Sequence, residues 1–396
     1  MKVFYLFCLM IVFVLSFFLS YRKASRFVSR PFSLPFYHGA LGTLMSAGSG
    51  LVCYVLLFLL GVDPKEIWII FSTAAGGFFI WHFTTPGWRA QKWVEKALRY
   101  FLLMAAFSAV FMTIAIVFTL FFETIRFFSI ISPAEFLAGT QWNPQTTYGD
   151  ASRAEDYGLY GAVPLFAGTL LIMSIAMVMA VPVGLFIAIY TREYAKAGTR
   201  NMIKPVIEIL AGVPTIVYGF FALVAVMPLL QSLGEWIGVE ISAQSALGVG
   251  IVMGLMIIPY ISSLSDDALG AVPQALRDNS LALGATPSET IKKVVIPAAL
   301  PGIVSAILLA VSRAIGETML VVMAAGLTAH LTFNPLKSVT TVTVQIVSLL
   351  TGDQEFNSPK TLSAFALGIT LFLMTFALNA VSLSVVRRYR EKHHDA

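Results

Sequence analysis

Long apolar runs, separated by short charged segments, dominate the hydrophobicity pattern of the chain. Most of the runs reach the length of about 20 helical residues that a bilayer core requires, and few of them carry charges. They predict nine membrane-spanning helices, at residues 3–20, 38–60, 68–83, 100–122, 163–190, 202–230, 245–264, 296–327 and 362–386. The pattern therefore predicts an all-α protein that crosses a membrane many times.

Composition agrees with this pattern. Of the 396 residues 58% are hydrophobic and only 12% are charged, and the mean hydropathy is +0.82. These values exclude an ordinary water-soluble domain. The first apolar run is followed by YRKASR rather than by a small-residue cleavage site, so we expect a retained helix and not a signal peptide.

Basic residues predict the orientation of the chain. Nineteen of the 26 lysines and arginines fall in alternate loops, at residues 21–38, 85–99, 191–204, 265–293 and 387–396. Because basic residues accumulate on the cytoplasmic side, these segments are predicted to be cytoplasmic, with the N-terminus outside and the C-terminus inside. This skew accounts for the net charge of +5, so the charge does not indicate a nucleic-acid partner.

One predicted cytoplasmic loop, residues 265–293, carries four acidic and three basic residues and is not a simple basic anchor. Thr286, Pro287 and Glu289 form the T-P-S-E pattern of a capped helix start. Gly284 permits a turn from a preceding short helix near residues 274–283. Two short helices joined at a glycine predict a docking surface for a partner, the alternative being an ordinary interhelical loop.

Chemical motifs of enzymes are missing from the sequence. It contains no G-x-x-x-x-G-K-[ST] segment that would bind ATP, and no zinc motif, nucleophile triad or paired-carboxylate site. The tail histidines His393 and His394 lie in a charged segment and predict no metal site. We expect no enzyme activity and no cofactor, so any ATP hydrolysis must come from a partner.

Arg313 and Glu317 lie close to the middle of the predicted span 296–327, where each charge costs about 2.5 to 3.5 kcal/mol on insertion scales. Four residues apart on one helix, they are expected to pair on one face. Arg313 could then offer a forked donor to a passing anion, while Gly316 allows a neighbouring helix or the solute to approach. The alternative is a structural ion pair that fixes helix packing.

Prolines within predicted spans mark places where helices can yield. Pro182, Pro214 and Pro259 each remove a helix hydrogen bond and predict kinks that serve either gating or static packing. Close to Pro214, Thr215 and Tyr218 could supply neutral hydrogen bonds along a path.

The longest predicted outer loop, residues 123–163, is rich in turn formers and aromatic residues and has a net charge of −3. It predicts a contact site for a soluble protein, the alternative being a disordered connector.

The segment LRDNSLALGATPSETIKKVVIPAALPGI resembles the coupling loop of ABC importer permeases. Gly284 takes the place of the family glycine, whereas Asp278, Asn279 and Ser280 stand where the family has Glu-Ala-Ala. The resemblance implies that the loop, residues 265–295, inserts into a partner ATPase. The contact residues that it implies are Asp278, Ala282, Gly284, Ala285, Pro287 and Glu289.

Three further segments, GTLLIMSIAMVMAVPVGLFIAIYTREYA, IEILAGVPTIVYGFFAL and SRAIGETMLVVMAAG, resemble phosphate importer permeases, and Gly-Glu-Thr-Met favours the PstC-type subunit. The resemblance runs from near Leu98 to the end. It implies a type I, six-span permease core at 97–396, preceded by an accessory segment of three spans at 1–96. It also implies that Arg313 and Glu317 belong to the phosphate path.

The same resemblance implies the partners and the location. The partners are a second permease of PstA type, an ATPase dimer that binds ATP and Mg, and a periplasmic phosphate-binding protein, all at a bacterial inner membrane. Three alternatives stay open: a permease for another oxyanion such as sulfate or molybdate, an ion-coupled secondary carrier, and a membrane scaffold or sensor.

Overall fold

The computed structural model describes residues 2–26, 33–59, 66–85, 89–144, 159–351 and 358–394, which are mostly helical. The chain forms two compact units, Met1–Ala115 and Ile116–Ala396. The boundary between these units lies inside a long helix, α4, whereas the sequence predicts a domain boundary between residues 96 and 97. The helices that begin in the first unit are α1 (Lys2–Ser25), α2 (Pro35–Leu59), α3 (Glu66–Phe83) and α4 (Ala90–Phe128).

Small polar residues and glycines form the contacts among α1, α2 and α3. The Ser46 hydroxyl donates to Ser16 Oγ at 2.8 Å, and the hydroxyls of Ser49 and Ser72 each donate to the other residue's carbonyl oxygen at 2.8 Å. Gly77 lies directly against the Ser16 and Ser46 side chains. Lipid provides no hydrophobic force between helices, so close backbone approach and hydrogen bonds of this kind hold membrane helices together.

The second unit contains the end of α4 and all remaining elements. They are α5 (Pro133–Ala138), β1 (Trp142–Asn143), β2 (Leu159–Tyr160), α6 (Val163–Ile189), α7 (Ala197–Gly212), α8 (Thr215–Phe221), α9 (Met227–Ile237), α10 (Ala246–Gly270), α11 (Gln274–Ala282), α12 (Pro287–Thr290), α13 (Ile296–Ile315), α14 (Met319–Ala324), α15 (Val342–Leu350) and α16 (Pro359–His394).

Six helical segments in the described part of the chain are long and apolar enough to cross a membrane. They are Ala90–Phe128, Val163–Tyr194, Thr215–Ile237, Ala246–Gly270, Pro287–Ile315 and Pro359–Val381. The six-span core predicted from the sequence is therefore confirmed. Helices α1 to α3 occur where the first three spans are predicted, and Ile69–His82 within α3 is a shorter apolar helix.

Helices α6 and α10 pack along each other and form the centre of the second unit. Glycines allow their close approach, because a side chain at these positions would be too close to the other helix. A Cβ atom added at Gly250 would lie 2.6 Å from the Ile175 side chain, and one added at Gly184 would lie 3.0 Å from the Ile261 side chain. Helix α13 packs against both α10 and α6, and its Ser312 hydroxyl donates to Asn379 Oδ1 of α16 at 2.7 Å. These contacts fix α13, which carries the predicted charged residues.

The predicted bounds of the span 202–230 are wrong, because this region contains α7 and then a separate apolar segment, Thr215–Ile237. Helix α7 ends at Gly212, Val213 is extended with φ −69° and ψ 129°, and α8 starts at Thr215. A residue before proline avoids the helical conformation, so Pro214 separates two helices rather than kinking one. Pro182 and Pro259, in contrast, lie inside α6 and α10 as predicted.

The ends of the predicted outer loop 123–163 are packed. Phe127, Phe136, Trp142 and Tyr160 are buried against one another with edge-to-face ring contacts, and β1 pairs antiparallel with β2. These described ends are therefore no disordered connector. Residues 145–158 lie outside the described part of the chain.

Candidate functional site

The predicted charged pair lies at a helix end and not in the middle of a span. Helix α13 ends at Ile315, and Gly316 adopts φ −87° and ψ 0°. Beyond it, the Thr318 hydroxyl donates to the Gly316 carbonyl at 3.1 Å, and the Glu317 carboxylate accepts from the Leu320 N–H at 3.5 Å. Such local side-chain bonds replace helix bonds, so the prediction that 296–327 is one continuous span is wrong.

Arg313 and Glu317 are not paired. Within the described part of the chain Arg313 forms no ion pair, and its guanidinium carbon lies 5.6 Å from the centre of the Tyr260 ring on α10. Arg313 is exposed, whereas Glu317 is buried. The predicted i, i+4 pair is therefore wrong, because the helix ends between the two residues. The guanidinium lies over an aromatic ring, a cation–π arrangement that leaves its forked donors available.

The backbone at the helix end is tied to α15. The Thr343 hydroxyl donates to the Glu317 carbonyl oxygen at 2.9 Å, and it lies 3.0 Å from the hydroxyl of Thr341, the residue that caps the start of α15. Thr341 and Thr343 are both buried. This anchor holds the loop after Arg313 in one position.

Gln345, in the next turn of α15, connects the outer segment to this region. Its side-chain oxygen accepts from Trp142 Nε1 at 3.1 Å, and its amide nitrogen donates to the Leu327 carbonyl oxygen at 2.5 Å. Gln345 is 5% exposed. Sequence analysis missed this residue, because its partner Trp142 is 203 positions away in the chain.

Gln345→Leu is expected to lower the stability of the second unit by about 2 kcal/mol or more, because a buried unsatisfied polar group costs about 1–3 kcal/mol. Both the Trp142 N–H and the Leu327 carbonyl lose a partner. The apparent Tm of the purified protein in detergent measures the effect. Gln141→Leu, at an exposed position beside β1, is the matched control. Equal Tm values for the two variants would contradict the role of this network.

The predicted path residues Thr215 and Tyr218 lie on α8, which packs against α14, the helix that begins at the Met of the Gly-Glu-Thr-Met segment. A Cβ on Gly219 would lie 2.8 Å from the Met323 Cβ. The Tyr218 hydroxyl donates to the Leu210 carbonyl oxygen at 2.8 Å and so satisfies the end of α7. Thr215 is half-buried at the start of α8. Among the described residues, no hydrogen bond joins Arg313 to Thr215 or Tyr218.

The predicted docking surface has the expected local structure. Helices α11 and α12 are joined by a turn in which Gly284 has φ +86°, a conformation that favours glycine. Thr286 and Glu289 form a complete capping box, with the Thr286 N–H donating to Glu289 Oε2 at 3.0 Å and the Glu289 N–H donating to Thr286 Oγ1 at 3.3 Å. The predicted turn and capped helix are thus confirmed.

Most of the predicted contact residues on this surface are accessible. Ala285 is half-buried, and the exposed ones are Asp278, Ala282, Gly284, Pro287 and Glu289. Sequence analysis missed Leu283, whose side chain is 90% exposed at the tip of the turn. A signal was present, because Leu283 is a large apolar residue directly before Gly284, in a loop that the sequence predicts to be a docking surface.

Comparisons with known proteins agree with this architecture. Residues 180–391 match the family described as binding-protein-dependent transport system inner membrane component. The chain is 35% identical over 246 residues to the probable ABC transporter permease protein YqgH of Bacillus subtilis, which covers 62% of this chain and 75% of that protein. It is 32% identical over 304 residues to the phosphate transport system permease protein PstC of Pasteurella multocida, with 69% of this chain and 92% of that protein covered.

A solved structure shares the fold. This is a bacterial alginate ABC transporter in complex with alginate pentasaccharide-bound periplasmic protein, with a TM-score of 0.51 and 14% identity over 74% of this chain and 96% of that one. The chain therefore belongs to the family of inner membrane components of binding-protein-dependent transport systems. It is a multi-pass permease subunit of an ABC importer and a transport component rather than an enzyme.

Proposed function

We propose that this permease carries inorganic phosphate across the bacterial inner membrane, with the C-terminus in the cytoplasm and the N-terminus in the periplasm. The observation that carries the proposal is the unpaired, exposed Arg313 at a helix break, in a chain 32% identical to a phosphate transport permease. A multivalent oxyanion needs a compensating cation in a low-dielectric path, and a guanidinium fork matches its geometry.

The path in this proposal passes the end of α13. Arg313 donates to the anion, and buried Glu317 limits how tightly the anion is held, since a site that binds too strongly stalls transport. Thr215 on α8 offers a neutral hydroxyl, and the Tyr218 hydroxyl, which donates to the Leu210 carbonyl oxygen, can still accept a hydrogen bond. The positions at which the helices bend during transport, in this proposal, are Pro182, Pro214, Pro259 and Gly316.

Three kinds of partner complete the importer in this proposal. A second permease of PstA type supplies the other half of the path, an ATPase dimer docks on the loop 265–295, and a periplasmic phosphate-binding protein delivers the solute to the outer segment 123–163. ATP and Mg bind to the ATPase, so this chain needs no cofactor. The exposed turn between α11 and α12 supports the ATPase contact.

Reconstitution in vesicles with these partners tests the proposal. We expect labelled phosphate uptake to require ATP and the binding protein, and we expect phosphate to stimulate ATP hydrolysis. Stimulation by sulfate or molybdate, with none by phosphate, would identify a different oxyanion permease. Uptake by an ion gradient without the ATPase would instead identify a secondary carrier.

A further inference from the structure

A mostly buried ion pair joins the docking surface to a distant part of the chain. Arg277, in the middle of α11, donates through Nη2 to Glu193 Oε1 at 3.0 Å. The two side chains are only 11% and 10% exposed, although the residues are 84 positions apart. The surface pair between Glu289 and Lys293 on the same loop is more open, with 49% and 75% of the side chains exposed.

The Arg277 guanidinium also binds the end of α10. Nη1 donates to the Val272 carbonyl oxygen at 2.6 Å, and Nη2 donates to that of Leu269 at 2.8 Å. The last carbonyls of a helix have no partner within the helix, and a cation there is favourable with the helix dipole. One side chain on α11 therefore satisfies the last turn of a membrane-spanning helix and the carboxylate of Glu193 together.

Glu193 lies at the end of another span. It belongs to a π-helical turn, Tyr190–Tyr194, that continues α6, and its neighbour Arg192 donates to the Gly270 carbonyl oxygen at 3.4 Å. Single π-helical turns occur preferentially at functional sites. Beneath these polar contacts, the buried apolar side chains of Ala188, Leu269 and Val295 connect the ends of α6 and α10 to the start of α13.

We infer that Arg277 and Glu193 are a positioning pair that transmits movement of the docking helices α11 and α12 to the spans α6 and α10. This inference rests on the proposed docking of an ATPase to the loop 265–295. Removing two charges from water offsets most of the attraction in a buried ion pair, so such a pair is weak evidence for a role in stability. Its geometry instead fixes the direction of α11 relative to two spans that are packed along each other.

A second contact extends the same connection to α12. The hydroxyls of Ser280 and Thr290 lie 2.9 Å apart, which ties α11 to α12. A force applied at the exposed turn between α11 and α12 therefore acts on α13 through the chain itself, and on α6 and α10 through Arg277. Coupling between sites requires a continuous physical link of this kind together with two alternative arrangements of the moving elements.

The test is the amount of phosphate imported per ATP hydrolysed by the reconstituted importer, for Glu193→Gln, Arg277→Gln and the double variant. We expect each single variant to lower this ratio by about fivefold or more, a typical size for coupling between sites. The double variant is expected to be no worse than Arg277→Gln, because residues that act as one unit are not additive. Lys196→Gln, at an exposed position three residues after Glu193 and outside the docking loop, is expected to match the wild type.

The amount of ATPase that copurifies distinguishes transmission from assembly. Glu193→Gln keeps an acceptor oxygen for Arg277 and so allows the test if Arg277→Gln assembles poorly. A normally assembled Glu193→Gln importer with the wild-type ratio would overturn the inference, as would loss of copurifying ATPase in both single variants. A wild-type importer without phosphate-stimulated ATP hydrolysis would instead refute the proposed function.

Discussion

Arg313→Gln is expected to lower uptake of labelled phosphate by at least about tenfold, because a hydrogen bond to a charged group contributes about 1.5–3 kcal/mol. Arg313 is exposed and forms no ion pair in the part of the chain that the structure describes, so the loss is not offset by a rearranged partner. Arg313→Lys keeps the charge without the planar fork and should retain part of the activity. Uptake is measured in cells, normalised to the amount of permease in the membrane.

Arg99→Gln is the matched control, since Arg99 is also exposed and lies outside the proposed path. Glu317→Gln should have a smaller effect than Arg313→Gln, because Glu317 is buried and does not pair with the arginine. Wild-type uptake in Arg313→Gln, Arg313→Lys and Glu317→Gln would show that the path has been placed wrongly.

Leu283→Asp is expected to reduce ATP-driven uptake by a comparable factor. The Leu283 side chain is 90% exposed at the tip of the docking surface, and burying a leucine contributes about 1.5–3 kcal/mol. An aspartate at the same place would bring an unpaired charge into the contact with the ATPase. The amount of ATPase that copurifies with the permease should fall in parallel with uptake.

Leu283→Met provides the control for this prediction, because methionine keeps an apolar and adaptable side chain of similar size. It should retain both uptake and ATPase binding. If Leu283→Asp retains ATPase binding, the tip of the turn lies outside the docking contact.

Local signals in the sequence predicted the architecture well. Hydropathy identified the six-span core, and the T-P-S-E pattern with Gly284 identified a capped helix and a turn that depend only on neighbouring residues. Hydropathy did not predict the helix ends that lie inside apolar stretches. Pro214 and Gly316 both lie at helix ends within stretches that are mainly apolar.

The candidate site was only partly predictable. The sequence identified Arg313 and Glu317, but it placed them on one helix, because the local bonds of Glu317 and Thr318 that replace the helix cannot be recognised from composition. The partners of Gln345 and Arg277 are distant in the chain, at Trp142 and Glu193. Such contacts depend on how helices are arranged, which hydropathy and capping patterns do not specify.

The contacts that serines and glycines form among α1, α2 and α3 have a consequence for the order in which the helices pack during synthesis. Its contacts join residues between Ser16 and Gly77, so every group that it requires has been synthesised before α6 begins at Val163. The three helices can therefore complete their own contacts in the membrane while the ribosome is still producing the permease core.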